Sequence, residues 1–190
     1  MPTSREPDAA DTIFFRDAAA FEDWLTGHVD HAPGVWLKIA KQASGIPSLT
    51  SDEAVDVGLC FGWISGQRRS LDDVHYLQKY VPRRPRSRWS QVNVRKVEEL
   101  TEAGRMRPSG IAEVEAAKAD GRWAAAYASQ RQATVPPDLA QALATAPRAS
   151  QAFDDLNRTD RYAVILEIVT SRTPATRATR IRKAVAALEA

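Results

Sequence analysis

The sequence predicts an α+β fold, with a small antiparallel sheet from the N-terminal ~80 residues packed with helices, and a helical C-terminal half. Three observations predict it. Runs rich in β-branched and aromatic residues cluster before Val81. From Ser87 onward the apolar residues recur at helical spacing. Prolines and glycines then stand where helices open and close, as at Pro108, Pro147 and Gly121. The chain of 190 residues fits one domain, long enough to bury roughly 70% of its unfolded surface. We expect a flexible N-terminal arm over 1–11 and a single α+β domain over 12–190. Within it, 12–107 would be a mixed sheet and helix part with a basic segment, and 108–190 a helical part.

Residues 1–11 carry Pro2 and Pro7 and no periodicity. Thr12 to Phe15 is β-prone. Asp17 can cap a helix that places Phe21, Trp24, Leu25 and His28 at i, i+3, i+4 and i+7. Pro33-Gly34 is a turn, and Val35 to Ile39 a strand. Thr50 with Glu53 three residues later forms a capping box for a helix carrying Val55, Leu59 and Cys60, which Gly62 ends. Trp63 to Arg69 and Val74 to Val81 pair as a hairpin across Ser70 to Asp73. A helix from about Ser90 to Ala103 stops at Gly104, and Pro108 opens one that ends at Gly121. Pro136-Pro137 and Pro147 start two more. Tyr162, Ile165, Leu166 and Val169 mark an apolar helix. Thr173-Pro174 caps the last, whose core stripe is Ala178, Ile181, Val185 and Leu188.

Composition excludes several classes. At 44% hydrophobic and 26% charged, with nine glycines and eleven prolines, the chain is neither collagen-like nor low-complexity nor disordered. The single cysteine, Cys60, can form no internal disulfide and no thiolate-rich zinc site. A reducing, cytoplasmic location is expected. No apolar run approaches the ~20 residues of a membrane span, and Met1 to Asp11 is no signal peptide, so no membrane insertion is expected. His28 and His31 sit at i, i+3 near a helix end and His75 stands apart, without metal-ligand spacing. Neither GxGxxG nor GxxxxGKS/T occurs. Neither metal nor cofactor is expected.

Charge is uneven. Gln67 to Arg107 holds eleven cations and five carboxylates, a local +6 in a chain of net +2. Such a segment attracts anions. Its centre, Pro82-Arg83-Arg84-Pro85-Arg86-Ser87-Arg88-Trp89-Ser90, is stiffened by proline. Guanidinium forks beside helix-end amides make a phosphate or carboxylate receptor. The candidate ligand residues are Arg83 and Arg86, with Ser87 and Ser90 at the helix start and Asn93 one turn on. Trp63, Tyr76 and Trp89 would be flat walls. The competing reading pairs these arginines with nearby carboxylates and buries the aromatics in the core. Glu53 is the candidate general base, and it competes with its own capping role. Glu53 and Cys60 stand roughly 10.5 Å apart along a helix, too far to hydrogen bond, so Cys60 reads as a small core residue.

The strings LTSDEAVDVGLCFGWISG, YLQKYVPRRPRSRWSQVN and GRMRPSG resemble the YdeI/OmpD-associated family, the bacteriocin-protection proteins, from about Phe15 to the C-terminus. The resemblance implies a small bacterial cytoplasmic protein of resistance to antimicrobial peptides or envelope stress, with no established enzyme mechanism. Ser65 replaces the aspartate of the family's WIDG string, and Ser51 stands where tyrosine is common. No role of that aspartate carries over.

The first expectation is therefore a protein that binds a small anionic ligand at a basic, aromatic-lined site. The alternative is an enzyme in the same pocket with Glu53 as general base. Nucleic-acid binding is third, disfavoured by a pI near 8.8 and the lack of a helix-turn-helix or RNP pattern. The oligomeric state is left open.

Overall fold

A computed structural model describes residues 12–190. The arm expected over 1–11 lies outside the described residues. The chain is α+β. In order it runs β1 (Thr12–Phe14), α1 (Ala18–His28), β2 (Val35–Ala40), a 3-10 turn (Gln42–Ser44), α2 (Ser51–Cys60), β3 (Trp63–Ser70) and β4 (His75–Pro82). Six helices follow: α3 (Gln91–Glu102), α4 (Pro108–Ala119), α5 (Pro137–Ala144), α6 (Pro147–Asp155), α7 (Arg158–Val169) and α8 (Pro174–Glu189). The chain forms two compact units. The first runs to Ser87 and takes in Lys96–Glu115; the second is Arg88–Arg95 with Ala116–Ala190.

The first unit holds the sheet, in the order β1-β2-β4-β3. β2 and β3 each pair antiparallel with β4, but β1 runs parallel to β2. The sheet is thus mixed, which corrects the expected antiparallel one. The reason lies in the connection: α1 separates β1 from β2, and a helical crossover returns the chain to pair in the same direction. β3 loses register between Ser65 and Arg68, and Gly66 to Arg68 are exposed along this edge.

Local chemistry sets the helix ends. Asp17 accepts from the Ala20 amide at 2.9 Å and caps α1. Thr50 and Glu53 form both halves of the box on α2. Pro108, Pro137, Pro147 and Pro174 each open a helix, where a missing N–H costs nothing. The unit's core joins Phe21 and Leu25 of α1, Leu37 and Ile39 of β2, Ala54 and Val57 of α2, and Trp63 and Tyr80 of the hairpin. α4 lies directly on the end of α2: a Cβ at Gly110 would stand 2.1 Å from the Cys60 carbonyl oxygen. Gly62, at φ +77°, faces the same contact from the other side.

The second unit buries Leu139, Leu143, Ala149, Phe153, Ile165, Ile168 and Ile181 together from α5 to α8. Arg177 of α8 clamps Asp138 of α5 through Nε and Nη2, at 2.6 and 2.9 Å. Trp89 is buried and meets Trp123 at 4.9 Å between ring centroids.

Candidate functional site

The first unit contains a cleft of about 710 Å³, built from the return between β2 and α2 and from the hairpin. After Ala40 the chain must come back to the α2 cap, and hydrogen bonds fix that path. The Ala40 amide donates to Ser48 Oγ at 3.0 Å, and the Lys41 amide to the Val74 carbonyl at 2.7 Å. The Leu49 amide donates to the Phe15 carbonyl at 3.0 Å. Lys41 Nζ donates to the Asp72 carbonyl at 2.8 Å, which holds one cation at the cleft's rim.

The opposite wall is Arg68 and Tyr76. Register places Arg68 opposite Gln78, and Gln78 is buried. Its amide donates to the Gly66 and Gln67 carbonyls at 2.9 and 3.1 Å, and its oxygen accepts from Arg68 Nε at 2.9 Å. The bulge and the arginine are thereby set by one side chain. Arg68 Nη2 donates to Ser51 Oγ at 3.1 Å, and the guanidinium lies 4.4 Å over the Tyr76 ring. Thr50, Ser51 and Asp52 bring the first turn of α2 to the same cleft, where the helix dipole is positive. Two cations, one carboxylate, an aromatic face and hydroxyls therefore share one concave surface.

Glu53 stands beside this surface with its Oε2 engaged by the helix cap. Its Oε2 accepts from the Thr50 amide at 2.9 Å and from Thr50 Oγ1 at 2.8 Å. The Thr50 amide, then its hydroxyl, hold the carboxyl below the ordinary glutamate range. A lowered pKa is the wrong direction for a general base near neutrality. Burial pushes the Cys60 thiol up, away from nucleophilic thiolate. Among the described residues no cluster of three or more metal-ligating side chains occurs.

Tyr76 lines the cleft; the other expected ligand residues of this unit lie elsewhere in it. Trp63 is fully buried and donates Nε1 to the Val29 carbonyl at 2.9 Å. Arg83 is buried, with its amide on the Gly62 carbonyl at 3.0 Å. Arg86 is exposed. Ser87 closes a tight turn, its Oγ accepting from the Arg84 amide at 2.8 Å. In the second unit Trp89 is core, and Ser90 Oγ accepts from the Asn93 amide at 3.2 Å, capping the start of α3. Asn93 is half-buried. Lys41, Arg68 and Ser51 are the cleft residues that the sequence reading did not place in a site.

Two family models match the chain. One, described as Domain of unknown function (DUF8412), covers residues 13–113, just over half of the length. The other, described as Bacteriocin-protection, YdeI or OmpD-Associated, covers residues 132–190. No curated protein and no solved structure gives a match. Among the described residues no helix is long and apolar enough to cross a membrane.

Proposed function

We infer the following from the premise that the chain belongs to the Domain of unknown function (DUF8412) family: it is a cytoplasmic binding protein whose first unit takes a small anionic ligand in the Arg68–Tyr76 cleft. The ligand carries an anionic group and a flat or ring-shaped body. The observation that carries this reading is the Arg68 guanidinium, stacked on Tyr76 and held at the first turn of α2. A stacked guanidinium offers both a fork for oxygens and a plane for a ring. Lys41 adds a second cation, and about 710 Å³ is in the range of small-molecule pockets. Arg86, exposed in the same unit, adds to the field that draws anions. The capped Glu53 supports binding over general-base chemistry. The model matched over 132–190 supports a role in resistance to antimicrobial peptides or envelope stress.

Thermal-shift screening of nucleotides, acidic sugars and phosphorylated headgroups tests the cleft. A ligand at a hundredfold excess over its Kd stabilises by about 2.7 kcal/mol. That gain should vanish in Arg68→Gln and shrink in Arg68→Lys, which keeps the charge but loses the fork. A parent that no anion stabilises beyond matched salt, or an Arg68→Gln that responds as the parent does, overturns the reading. In cells, loss of the gene should sensitise to a bacteriocin, with rescue by the parent and not by Arg68→Gln.

A further inference from the structure

The second unit holds a pocket of different character from the cleft. It is about 220 Å³ in volume and is lined by Arg131, Arg158 and Arg161 with Gln130, Tyr162 and Ile165. No carboxylate lines it. Among the described residues none of these three arginines makes an ion pair. Three like-charged side chains lining one hollow repel one another, and such a cluster is stabilised when an anion is received among them.

Each arginine is presented by a defined backbone. Arg131 sits on a turn closed by the Gln132 and Ala133 amides on the Ser129 carbonyl, both at 2.9 Å. Arg158 is the first residue of α7, and Arg161 is in the same turn. Arg161 Nη2 donates to the Asp154 and Leu156 carbonyls, and its guanidinium lies 5.5 Å from the Phe153 ring. This leaves its Nε buried with no hydrogen-bond partner. A buried charged N–H without an acceptor is costly to fold around. Tyr162 Oη donates to the Ala128 carbonyl at 2.9 Å, which ties α7 to the segment bearing Arg131. The α7 amides are not the receptor: Asn157 Oδ1 already accepts from Thr159 and Asp160. Asp160 is held by Asn157 Nδ2 at 2.7 Å.

We propose that Arg131, Arg158 and Arg161 form a second anion site, in the bacteriocin-protection segment and its lead-in, that takes a phosphate group. A tetrahedral phosphate turns oxygens toward three guanidiniums placed around it, whereas a carboxylate offers two oxygens in a single plane. The pocket is smaller than the roughly 300–1,000 Å³ that encloses a drug-sized ligand, so it takes a phosphate head and leaves the rest of the molecule outside. The source is either a soluble phosphate or the headgroup of an anionic lipid.

The test is titration of the isotope-labelled full chain with inorganic phosphate against chloride at matched ionic strength, followed amide by amide. Saturable shifts should appear at Gln130 to Ala133 and Arg158 to Tyr162. The double variant Arg131→Gln/Arg158→Gln removes two exposed side chains and should bind about tenfold or more weakly. Arg68→Gln should bind phosphate here as the parent does, so failure of the cleft reading and failure of this one are separable. Vesicles of phosphatidylcholine and phosphatidic acid in equal parts distinguish the sources. Sedimentation with them, lost in the double variant, assigns a lipid headgroup; binding of phosphate without sedimentation assigns a soluble one. Unsaturable shifts, or equal affinity in the double variant, overturn the proposal.

Discussion

Adding one methyl group at Gly110 should destabilise the first unit, although helix propensity alone favours it. Gly110 lies in the first turn of α4, where alanine would gain about 0.5–1 kcal/mol over glycine. The new Cβ, however, would meet the Cys60 carbonyl oxygen at 2.1 Å, its carbon at 2.7 Å and the Leu59 oxygen at 3.0 Å. These are backbone atoms, and no rotamer moves them. Ordinary contact needs roughly 1.3 Å more room, so α4 must shift from the end of α2. The shift stretches the 3.0 Å bond from the Arg107 amide to the Cys60 carbonyl and opens the seat of Gly62. Overpacking of this kind costs about 1–3 kcal/mol, and a gap near 1 Å forfeits a quarter to a half of the local dispersion energy. The net expectation for Gly110→Ala is a loss of about 2 kcal/mol. Gly27→Ala is the matched control: Gly27 is in α1 with nothing within 4 Å of its Cβ position, so it should gain about 0.5–1 kcal/mol. Hydrogen exchange of the α2 and β3 amides reads the first unit separately from the second. The reasoning fails if Gly110→Ala exchanges as slowly as the parent, or if both substitutions shift protection in the same direction.

Three further outcomes follow from the packing. Trp63→Ala should cost about 3–5 kcal/mol in urea unfolding, and Trp63→Phe clearly less, because the phenyl ring keeps part of the buried volume; equal losses would contradict the packing role. Cys60→Ala should leave ligand binding by calorimetry intact, and the parent thiol should react with iodoacetamide only as the unit opens, since burial raises its pKa. The hydrogen bond from Arg177 is the main cause that holds the Asp138 carboxyl below its usual range. Its stabilisation is therefore present above the unfolded value near 3.9 and lost as pH falls through the lower folded value. Asp138→Asn should flatten that acid limb in a pH series of melts, by a small and salt-sensitive amount because the pair is partly exposed.

The helices were legible because their ends are written in short-range chemistry. Thr50 with Glu53, Asp17, and the opening prolines each act within one turn of themselves. The direction of β1 was also within reach, since a helical pattern between two strands is the signal of a parallel crossover. The site was harder. Lys41, Ser51 and Arg68 meet only through the return loop and the hairpin register, so the sequence showed them as scattered charges. Counting outward from the expected Ser70 to Asp73 turn sets Arg68 against His75. The observed pair is Ser70 with Tyr76, and this shift of register is what brings Arg68 against Gln78 and onto the face of Tyr76. The opposite error attaches to Trp63 and Trp89: an aromatic beside arginines suggests a ligand wall, yet large apolar rings are more often core.

The margins of the sheet bear on how such variants behave in solution. Among the described residues β1 offers three on one side, and β3 on the other is broken by its bulge and carries Arg68 and Arg69. Short, kinked and charged borders refuse a further strand, and so suppress edge-to-edge aggregation. Arg68 thus serves two masters, the cleft and the border. An Arg68→Gln protein loses a gatekeeper together with its anion fork, so its binding must be measured on monodisperse material. Arg69→Gln, which sits on the same border but does not line the cleft, gives the aggregation effect by itself.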